Sequence, residues 1–320
     1  MEVLVLIFIN KGDAKMDKLL ERLVKENEYL VQYGKVADYI PALKSANPND
    51  IGICIMDIEG NLYSSGDYEK KFTIQSISKV LSLMIAIVDK GEEKVFKKVG
   101  MEPTDESFNS LYKLDLPYGD KPSNPMINSG AILTTSLING KGEEKFNRFL
   151  EIIRKITQDD NINYNEEVFL SEKRTGDKNR SIAYLLKNKN LIEEDVENIL
   201  DAYFKQCSIE VNCIDLAKIG IFLANKCKIP NTEEVLCNEE IGTLVTALMT
   251  TCGMYNFSGE YAVKVGIPSK SGVAGGILGV VPGRFGIGVY GPALDKHGNS
   301  IAGYGMLKGL SKELGLSIFN

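Results

Sequence analysis

The spacing of apolar residues predicts a helix and then a hairpin in the first part of the chain. From Met16 to about Tyr33, apolar residues recur every three or four positions, and Gly34 ends the pattern. Residues 51–57 (IGICIMD) are short, apolar and β-branched, and the turn Glu59-Gly60-Asn61 leads into Leu62-Tyr63. This order predicts one amphipathic helix followed by two antiparallel strands.

Apolar residues then recur at helical spacing from about residue 128 to residue 250. After residue 250 this helical pattern ends. Residues 261–291 alternate β-rich pieces with Gly and Pro, which predicts an antiparallel meander, and residues 301–315 predict a closing helix. We therefore predict an α+β fold whose antiparallel sheet uses N- and C-terminal parts, about residues 50–65 and 258–291. Helices flank this sheet, and a central all-helical lobe spans about residues 92–252.

The first fifteen residues need a separate interpretation because Val3–Ile9 is apolar. The segment has Glu2 instead of a basic region, is short for a signal peptide and is far shorter than a membrane span. We predict that residues 1–15 form a leader that is disordered or precedes a start at Met16. A short extra strand is the alternative, and residues 16–320 are predicted to form a single domain.

Charge and cysteine content exclude several classes of partner. The formal net charge is −6 and no long Lys/Arg block occurs, so nucleic acid and anionic membranes are not expected partners. The six cysteines are scattered without a Cys-x-x-Cys pair, and there is one histidine, so no metal site is predicted. Free thiols are typical of a reducing compartment, which favours a cytoplasmic location.

Two features that suggest known chemistry are better explained by structure. Residues 286–291 (GIGVYG) match the dinucleotide-binding glycine pattern, but a turn follows them where that motif requires a helix. We expect these glycines to allow close packing of strands. His297 lies in a DKHGN turn, which favours a solvated loop residue over a catalytic base.

Ser76 and Lys79 form a Ser-x-x-Lys motif at the start of an apolar stretch, residues 72–87. Residues three apart share a helix face, and apolar neighbours would lower the pKa of Lys79 so that it could accept the serine proton. The motif alone is weak, because Ser110 and Lys113 match it by chance. Ser76 as a helix cap and Lys79 as a snorkelling side chain are the alternative.

A second element strengthens the catalytic interpretation. Lys270-Ser271-Gly272 lies in the meander, and a Lys-[Ser/Thr]-Gly strand accompanies Ser-x-x-Lys in serine acyl-enzymes. A Gly-rich strand also leaves backbone N–H groups available for an oxyanion hole. The two elements resemble the penicillin-binding and β-lactamase-like hydrolases, although the Ser-Asp-Asn element of those enzymes is not present as such.

A longer set of segments lies along the chain in a characteristic order: GKVADYIPAL (34–43), QSISK (75–79), NPMINSGAI (124–132), SEKRTGDKN (171–179), YFKQCSIEV (203–211), CGMYNFSGEYA (252–262) and KSGVAGGI (270–277). In this order the segments closely resemble the serine-dependent glutaminases, L-glutamine amidohydrolases of the β-lactamase-like fold. The resemblance runs from about Met16 to the C-terminal segment.

The resemblance implies a role for each matched residue. Ser76 is the implied nucleophile and Lys79 its base, and Tyr39 and Tyr255 line the catalytic centre, with Tyr255 as the proton relay. The implied substrate-binding residues are Ser76, Asn128, Glu172, Asn179, Tyr203, Tyr255 and Val273. These types suit an amino-acid substrate: a carboxylate accepts from its ammonium group, and amides and phenols donate to its carboxylate.

The resemblance also implies the general character of the enzyme. The expected substrate is L-glutamine, no metal or organic cofactor is required, and a homodimer or homotetramer is expected. Two alternatives remain: another serine acyl-enzyme of this fold, such as a β-lactamase or D-Ala carboxypeptidase, or a non-catalytic amino-acid sensor. The first calls for an exported protein, and the second for glutamine binding without turnover.

Overall fold

A computed structural model describes the backbone of residues 2–116 and 119–320. It describes the side chains of the same residues except residues 2–14 and Lys113. Five strands form one antiparallel sheet in the order β2-β1-β7-β6-β5. Their bounds are β1 Gly52–Asp57, β2 Leu62–Gly66, β5 Ser269–Ser271, β6 Gly276–Val281 and β7 Phe285–Tyr290. The first hairpin and the C-terminal meander meet where β1 pairs with β7, which confirms the predicted α+β fold.

The central strands β1, β6 and β7 are buried on both faces, whereas edge strand β2 is partly exposed, and the alternating side chains of the sheet belong to two cores. Ile53 and Ile55 of β1 face one core, whereas Cys54 and Met56 face the other. Period-2 alternation in an extended strand produces this division. The first core is closed by the N- and C-terminal helices, α1 Glu2–Asn27 and α13 Ile301–Leu314. The second is continuous with the helical lobe.

The lobe predicted to be all-helical over about residues 92–252 is mostly helical, but the prediction is wrong at the two-residue strand Glu210–Val211, which pairs with Phe72–Thr73. Two-residue strands β3 (Phe72–Thr73) and β4 (Glu210–Val211) pair with each other. The helices before β4 are α2 Ser78–Lys90, α3 Glu92–Lys98, α4 Tyr112–Asp115, α5 Asn128–Leu137, α6 Glu143–Thr157, α7 Glu166–Thr175, α8 Asp177–Asn188 and α9 Val196–Cys207. After it come α10 Cys213–Ala224, α11 Glu239–Cys252 and α12 Ser258–Lys264.

The glycines of the GIGVYG segment, which the sequence predicts to allow close packing of strands, instead allow helix α10 to lie directly on the sheet. A Cβ at Gly286 would stand 2.0 Å from the backbone N of Ile221, and one at Gly288 would stand 2.1 Å from the carbonyl O of Cys213. Real Cβ atoms do not approach this closely, so these positions have no room for a side chain. The strand continues into a turn and no helix begins at Gly291, so the segment is a packing surface.

Two sequence predictions about element boundaries are wrong. Residues 258–264 are helical and the sheet resumes only at Ser269, because Tyr261 is turned into the core and bonds the Ser269 hydroxyl at 2.8 Å. Tertiary packing thus overrides the β propensity of Val263 and Val265. The apolar stretch 72–87, whose Ser76 and Lys79 the sequence places on one helix face, is α-helical only from Ser78, because Phe72 and Thr73 pair with β4 and Gln75 adopts a left-handed φ of +49°.

The N-terminal interpretation is tested only for the backbone. The backbone of residues 2–15 belongs to α1, so the alternative of a short strand is wrong. Side chains of residues 1–14 lie outside the described part, and the leader stays a prediction. The assignment of residues 16–320 to a single domain also stays a prediction.

Candidate active site

Ser76 lies in a tight turn that joins β3 to α2. Residues Gln75–Ile77 form one turn of 3₁₀ helix, and the chain continues into α2 at Ser78. Gln75, just before the serine, holds a left-handed backbone conformation that costs a non-glycine residue free energy. Strained residues of this kind occur where a fold must aim a neighbouring side chain, and here the neighbour is Ser76.

Lys79 occupies the first turn of α2 and is 0 % exposed. Its Nζ donates hydrogen bonds to Asn128 Oδ1 at 2.7 Å and to the carbonyl O of Met126 at 3.3 Å. Burial lowers the pKa of Lys79 to about 8, although Cys207 and Glu172 oppose this shift. With a pKa of about 8, roughly one tenth of this amine is neutral at pH 7 and about half at pH 8, which makes it available as a general base.

Asn128 links the lysine to the helical lobe. It begins α5, its Oδ1 accepts from Lys79, and its Nδ2 donates to Asn179 Oδ1 on α8 at 2.9 Å. Asn128 is buried and Asn179 is partly buried. Three helices thus present one lysine and two carboxamides to a common point.

Glu172 is the acidic member of the site. It lies on α7, is buried, and accepts a hydrogen bond from the Gln75 side chain. Burial raises the pKa of Glu172 to about 7, while the bond from Gln75 and the charge of Lys79 oppose the shift. A buried carboxyl with one amide donor and no adjacent counter-ion would gain a strong partner from a ligand ammonium group.

Tyr255 approaches the serine from the C-terminal half of the chain. Its phenol donates to the carbonyl O of Ser271 at 3.1 Å and also hydrogen-bonds Ser76. Burial raises the pKa of Tyr255, and the bonds to Ser76 and Ser271 only partly offset this. The phenol is therefore a neutral group able to donate or pass on a proton.

Lys270 stands beneath Tyr255. Its Nζ lies 4.6 Å from the centre of the Tyr255 ring and donates to the carbonyl O of Ser271 at 2.8 Å. Burial, and then the charge of Lys79, hold the pKa of Lys270 well below its usual range. Both the Ser-x-x-Lys turn and the Lys-Ser-Gly strand thus meet at Tyr255.

The loop after β5 packs against the serine turn. A Cβ at Gly272 would stand 2.8 Å from the carbonyl O of Ile74, so glycine allows the two segments to touch. Within the described part of the chain, the backbone N–H groups of Ser76 and Val273 donate to no other group. Buried N–H groups normally have partners, so these two are suited to a ligand oxygen.

A cleft of about 600 Å³ opens onto this loop. Its lining includes Tyr39, Phe108, Val273 and His297. Tyr39 is half-exposed at the cleft, and Tyr203 is buried behind it on α9. His297 stacks on Phe257 with ring centres 5.4 Å apart and bonds Asn256, so it lies in a packed turn at the edge of the cleft.

The structure thus joins Lys79, Asn128 and Asn179 by hydrogen bonds, and it places Tyr255 against Ser76 and Gln75 against Glu172. Among the described residues, the Lys79 amine donates to Asn128 and Met126 and not to Ser76. Sequence reasoning missed Gln75, which donates to Glu172, and the role of the Met126 carbonyl. The positive φ and full burial of Gln75 could not be read from residue types. Its position beside the proposed nucleophile was the available clue.

The described residues hold neither a metal-binding cluster nor a membrane-spanning helix. Over residues 15–116 and 119–320, apart from Lys113, no group of three or more His, Cys, Asp and Glu side chains could hold a metal ion. No helix of the described chain is both long and apolar enough to cross a bilayer. Ser110 bonds Glu106 in a loop before α4, and the side chain of Lys113 lies outside the described part, so that second motif is not tested.

The fold and the paired motifs define a class: a Ser-x-x-Lys turn facing a Lys-Ser-Gly strand on the β-lactamase-like fold. The family model for glutaminases matches residues 34–319. The chain is 56% identical over 305 residues to a glutaminase of Clostridium tetani, and 54% identical over 305 residues to glutaminase 2 of Clostridium perfringens. Each match covers 95% of this chain and 100% of the relative.

Solved structures agree with these sequence relatives. The glutaminase YbgJ of Bacillus subtilis, in covalent complex with 5-oxo-L-norleucine, is 38% identical with a TM-score of 0.84. That match covers 95% of this chain and 99% of the other. The chain belongs to the glutaminase family.

Proposed function

We propose that the protein hydrolyses L-glutamine to L-glutamate and ammonia through a γ-glutamyl ester on Ser76, with Lys79 as the base. The observation that supports this most is the buried, partly neutral Lys79 held against Asn128 at the turn that presents Ser76. Membership of the glutaminase family supplies the substrate. No metal or organic cofactor enters the scheme.

Substrate binding uses the polar side chains around the serine. The carboxylate of Glu172 accepts hydrogen bonds from the α-ammonium group of glutamine. These bonds replace the hydrogen bonds to water that the carboxylate lacks because it is buried. Asn128, Asn179 and Tyr203 provide neutral donors for the α-carboxylate. Glutamine enters through the cleft whose lining includes Tyr39 and Val273.

Acylation begins when neutral Lys79 accepts the Ser76 proton and the Ser76 oxygen attacks the carboxamide carbon. The N–H groups of Ser76 and Val273 donate to the oxygen that becomes negative, which lowers the barrier because they are already in place. The carbon–nitrogen bond then breaks, and ammonia leaves with a proton passed through Tyr255 or Lys79.

Deacylation repeats these steps with water. A water molecule attacks the ester carbon while Lys79 accepts its proton, either directly or through the Tyr255 phenol, which passes its own proton to Lys79 as it receives one. The ester bond breaks, the Ser76 oxygen recovers a proton, and glutamate is released. Atoms balance as one glutamine and one water giving one glutamate and one ammonia.

Labelling with 6-diazo-5-oxo-L-norleucine tests the nucleophile directly. YbgJ of B. subtilis reacts with this compound to give a covalent 5-oxo-L-norleucine complex. We expect one adduct, mapped by peptide mass spectrometry to Ser76, and protection from labelling by glutamine. An adduct on another residue would contradict the proposal, and labelling by benzylpenicillin without glutamine turnover would favour a penicillin-reactive enzyme.

The pH profile tests the state of the base. Because burial lowers the pKa of Lys79 to about 8, the neutral fraction rises with pH through that value. Glu172, with a pKa of about 7, also gains its binding-competent carboxylate as pH rises. We expect kcat/KM to increase from about pH 6 to pH 8.5 and then level. Ammonia release in buffers of constant ionic strength measures this, and a flat profile would contradict the assignment.

We further propose a cytoplasmic enzyme that assembles as a homodimer or homotetramer. All six cysteines are free thiols, and five are buried, which suits a reducing compartment. The assembly rests on the family resemblance alone. Light scattering during gel filtration of the purified protein measures the number of subunits.

A further inference from the structure

A buried polar junction joins three helices one to two turns away from the proposed catalytic residues. Gln206 on α9 is 0 % exposed, and its Oε1 accepts hydrogen bonds from Ser82 Oγ at 2.9 Å and Thr135 Oγ1 at 3.1 Å. Ser82 belongs to α2 and Thr135 to α5. A single carboxamide oxygen therefore ties α2 and α5 to α9.

Each of these helices also presents a residue of the proposed site. Ser82 follows Lys79 by three residues, and Thr135 follows Asn128 by seven, so each pair lies on nearly one face of its helix. Gln206 likewise follows Tyr203 by three. The contact between Lys79 and Asn128, at 2.7 Å, spans the same two helices as the contacts of Gln206.

The polar junction lowers the stability of the core in which it lies. Gln206 Nε2 is buried and has no hydrogen-bond partner among the described residues. A buried amide without its full set of partners lowers the stability of the folded state, and an apolar side chain of similar shape would avoid this. The amide oxygen instead provides directional contacts. Its two hydrogen bonds fix the distance between the helices more closely than apolar contacts would.

We propose that Gln206 is a positioning residue that sets the spacing of α2 and α5 and so holds the Lys79 amine against the Asn128 carboxamide. The inference rests on the proposed role of Lys79 as base. Without the tie, α2 and α5 separate slightly, water reaches the amine, and the proton stays on Lys79 to higher pH. Gln206 itself lies away from the reacting atoms.

Three variants test the inference, and the chain offers a matched control. Gln206→Met removes the shared acceptor, and Thr135→Val removes one donor to it. Thr134→Val removes an equally buried hydroxyl on the same helix, one that bonds only the Ala131 carbonyl of its own helix, at 3.0 Å. Circular dichroism and thermal melting of each variant report folding separately from activity.

We expect Gln206→Met to lower kcat about 10- to 100-fold, since sub-ångström displacement of a catalytic group has effects of this size. The rising limb of its kcat/KM profile should move to higher pH by about 0.5 to 1 unit. Thr135→Val should show the same changes more weakly, and Thr134→Val should stay within about twofold of wild type. A merely structural role would lower the melting temperature without moving the limb.

The inference would be overturned if folded Gln206→Met showed the wild-type rising limb of kcat/KM against pH. Equal kcat/KM profiles for Thr135→Val and Thr134→Val would overturn it as well. If Gln206→Met does not fold, the two threonine variants decide. Ser76→Ala, measured in parallel, separates this result from the wider mechanism. If Ser76→Ala keeps its activity, the proposed mechanism is wrong. If Ser76→Ala is inactive and the rising limb of the Gln206→Met pH profile is unchanged, only the proposed role of Gln206 is wrong.

Discussion

Replacing Ser76 with alanine is expected to lower kcat for glutamine hydrolysis by about 10⁴-fold or more, because no ester can then form. Glutamine should still bind, since Asn128, Glu172 and Tyr203 are unchanged. Ammonia release measures the first effect, and the rise in melting temperature with added glutamine measures the second. Loss of turnover with retained binding is the result expected of a nucleophile.

Ser78 provides the control for this experiment. It lies two residues away, is also buried, and its Oγ donates to the carbonyl O of Gln75 at 2.8 Å. Ser78→Ala therefore removes a hydroxyl from the same turn without removing the proposed nucleophile, and it should retain most activity. Ser76→Ala with wild-type kcat would exclude the γ-glutamyl ester, and equal losses in both variants would point to damage of the turn.

Replacing Lys79 with methionine is expected to lower kcat by about 10³-fold, the size of effect typical when a general base is lost. Lys79→Arg should fall about as far, because a guanidinium group stays protonated and cannot accept the serine proton. The comparison matters because arginine retains the positive charge. Ammonia release at pH 8.5, where the wild-type amine is largely neutral, gives the clearest difference.

Lys145 offers a matched buried lysine outside the site. It is 2 % exposed and its Nζ donates to the carbonyl groups of Ser136 and Ile138. Lys145→Met should reduce the melting temperature while leaving kcat near wild type. High activity in Lys79→Arg would show that charge, and not proton transfer, is what the position supplies.

The fold was largely predictable because most of its elements have strong periodicity. Helical spacing located α5, α6 and α8 to α11, and the hairpin turn at Gly60 located β1 and β2. The failures share a cause. The segment of α12 has β-branched residues, yet Tyr261 fixes it by a contact to a strand that follows it. Contacts between segments decide such cases, and residue spacing does not contain them.

The candidate site divides in the same way. Ser76 and Lys79 form a local motif, so a rule about neighbouring residues could find them. The bond of Lys79 to Asn128, the bond of Gln75 to Glu172 and the stacking of Lys270 under Tyr255 join distant segments. The resemblance to a family placed Asn128, Glu172 and Tyr255 in one site but not Gln75, and only the geometry shows which of these residues touch.

The pairing of β1 with β7 has a consequence for the order in which the chain can fold. Gly52 pairs with Tyr290 and Asp57 with Phe285, so β1 finds its neighbour only after the whole helical lobe has been synthesised. Until then β1 has no strand on its second edge, and Ile53 and Ile55 lack the part of their core that strands β6 and β7 and helix α13 supply. Distant pairing of this kind slows folding and leaves an apolar edge open to association. On the ribosome, the lobe that supplies Asn128 and Glu172 can form first. The turn that carries Ser76, the proposed nucleophile, is completed last, when the loop after β5 packs against it.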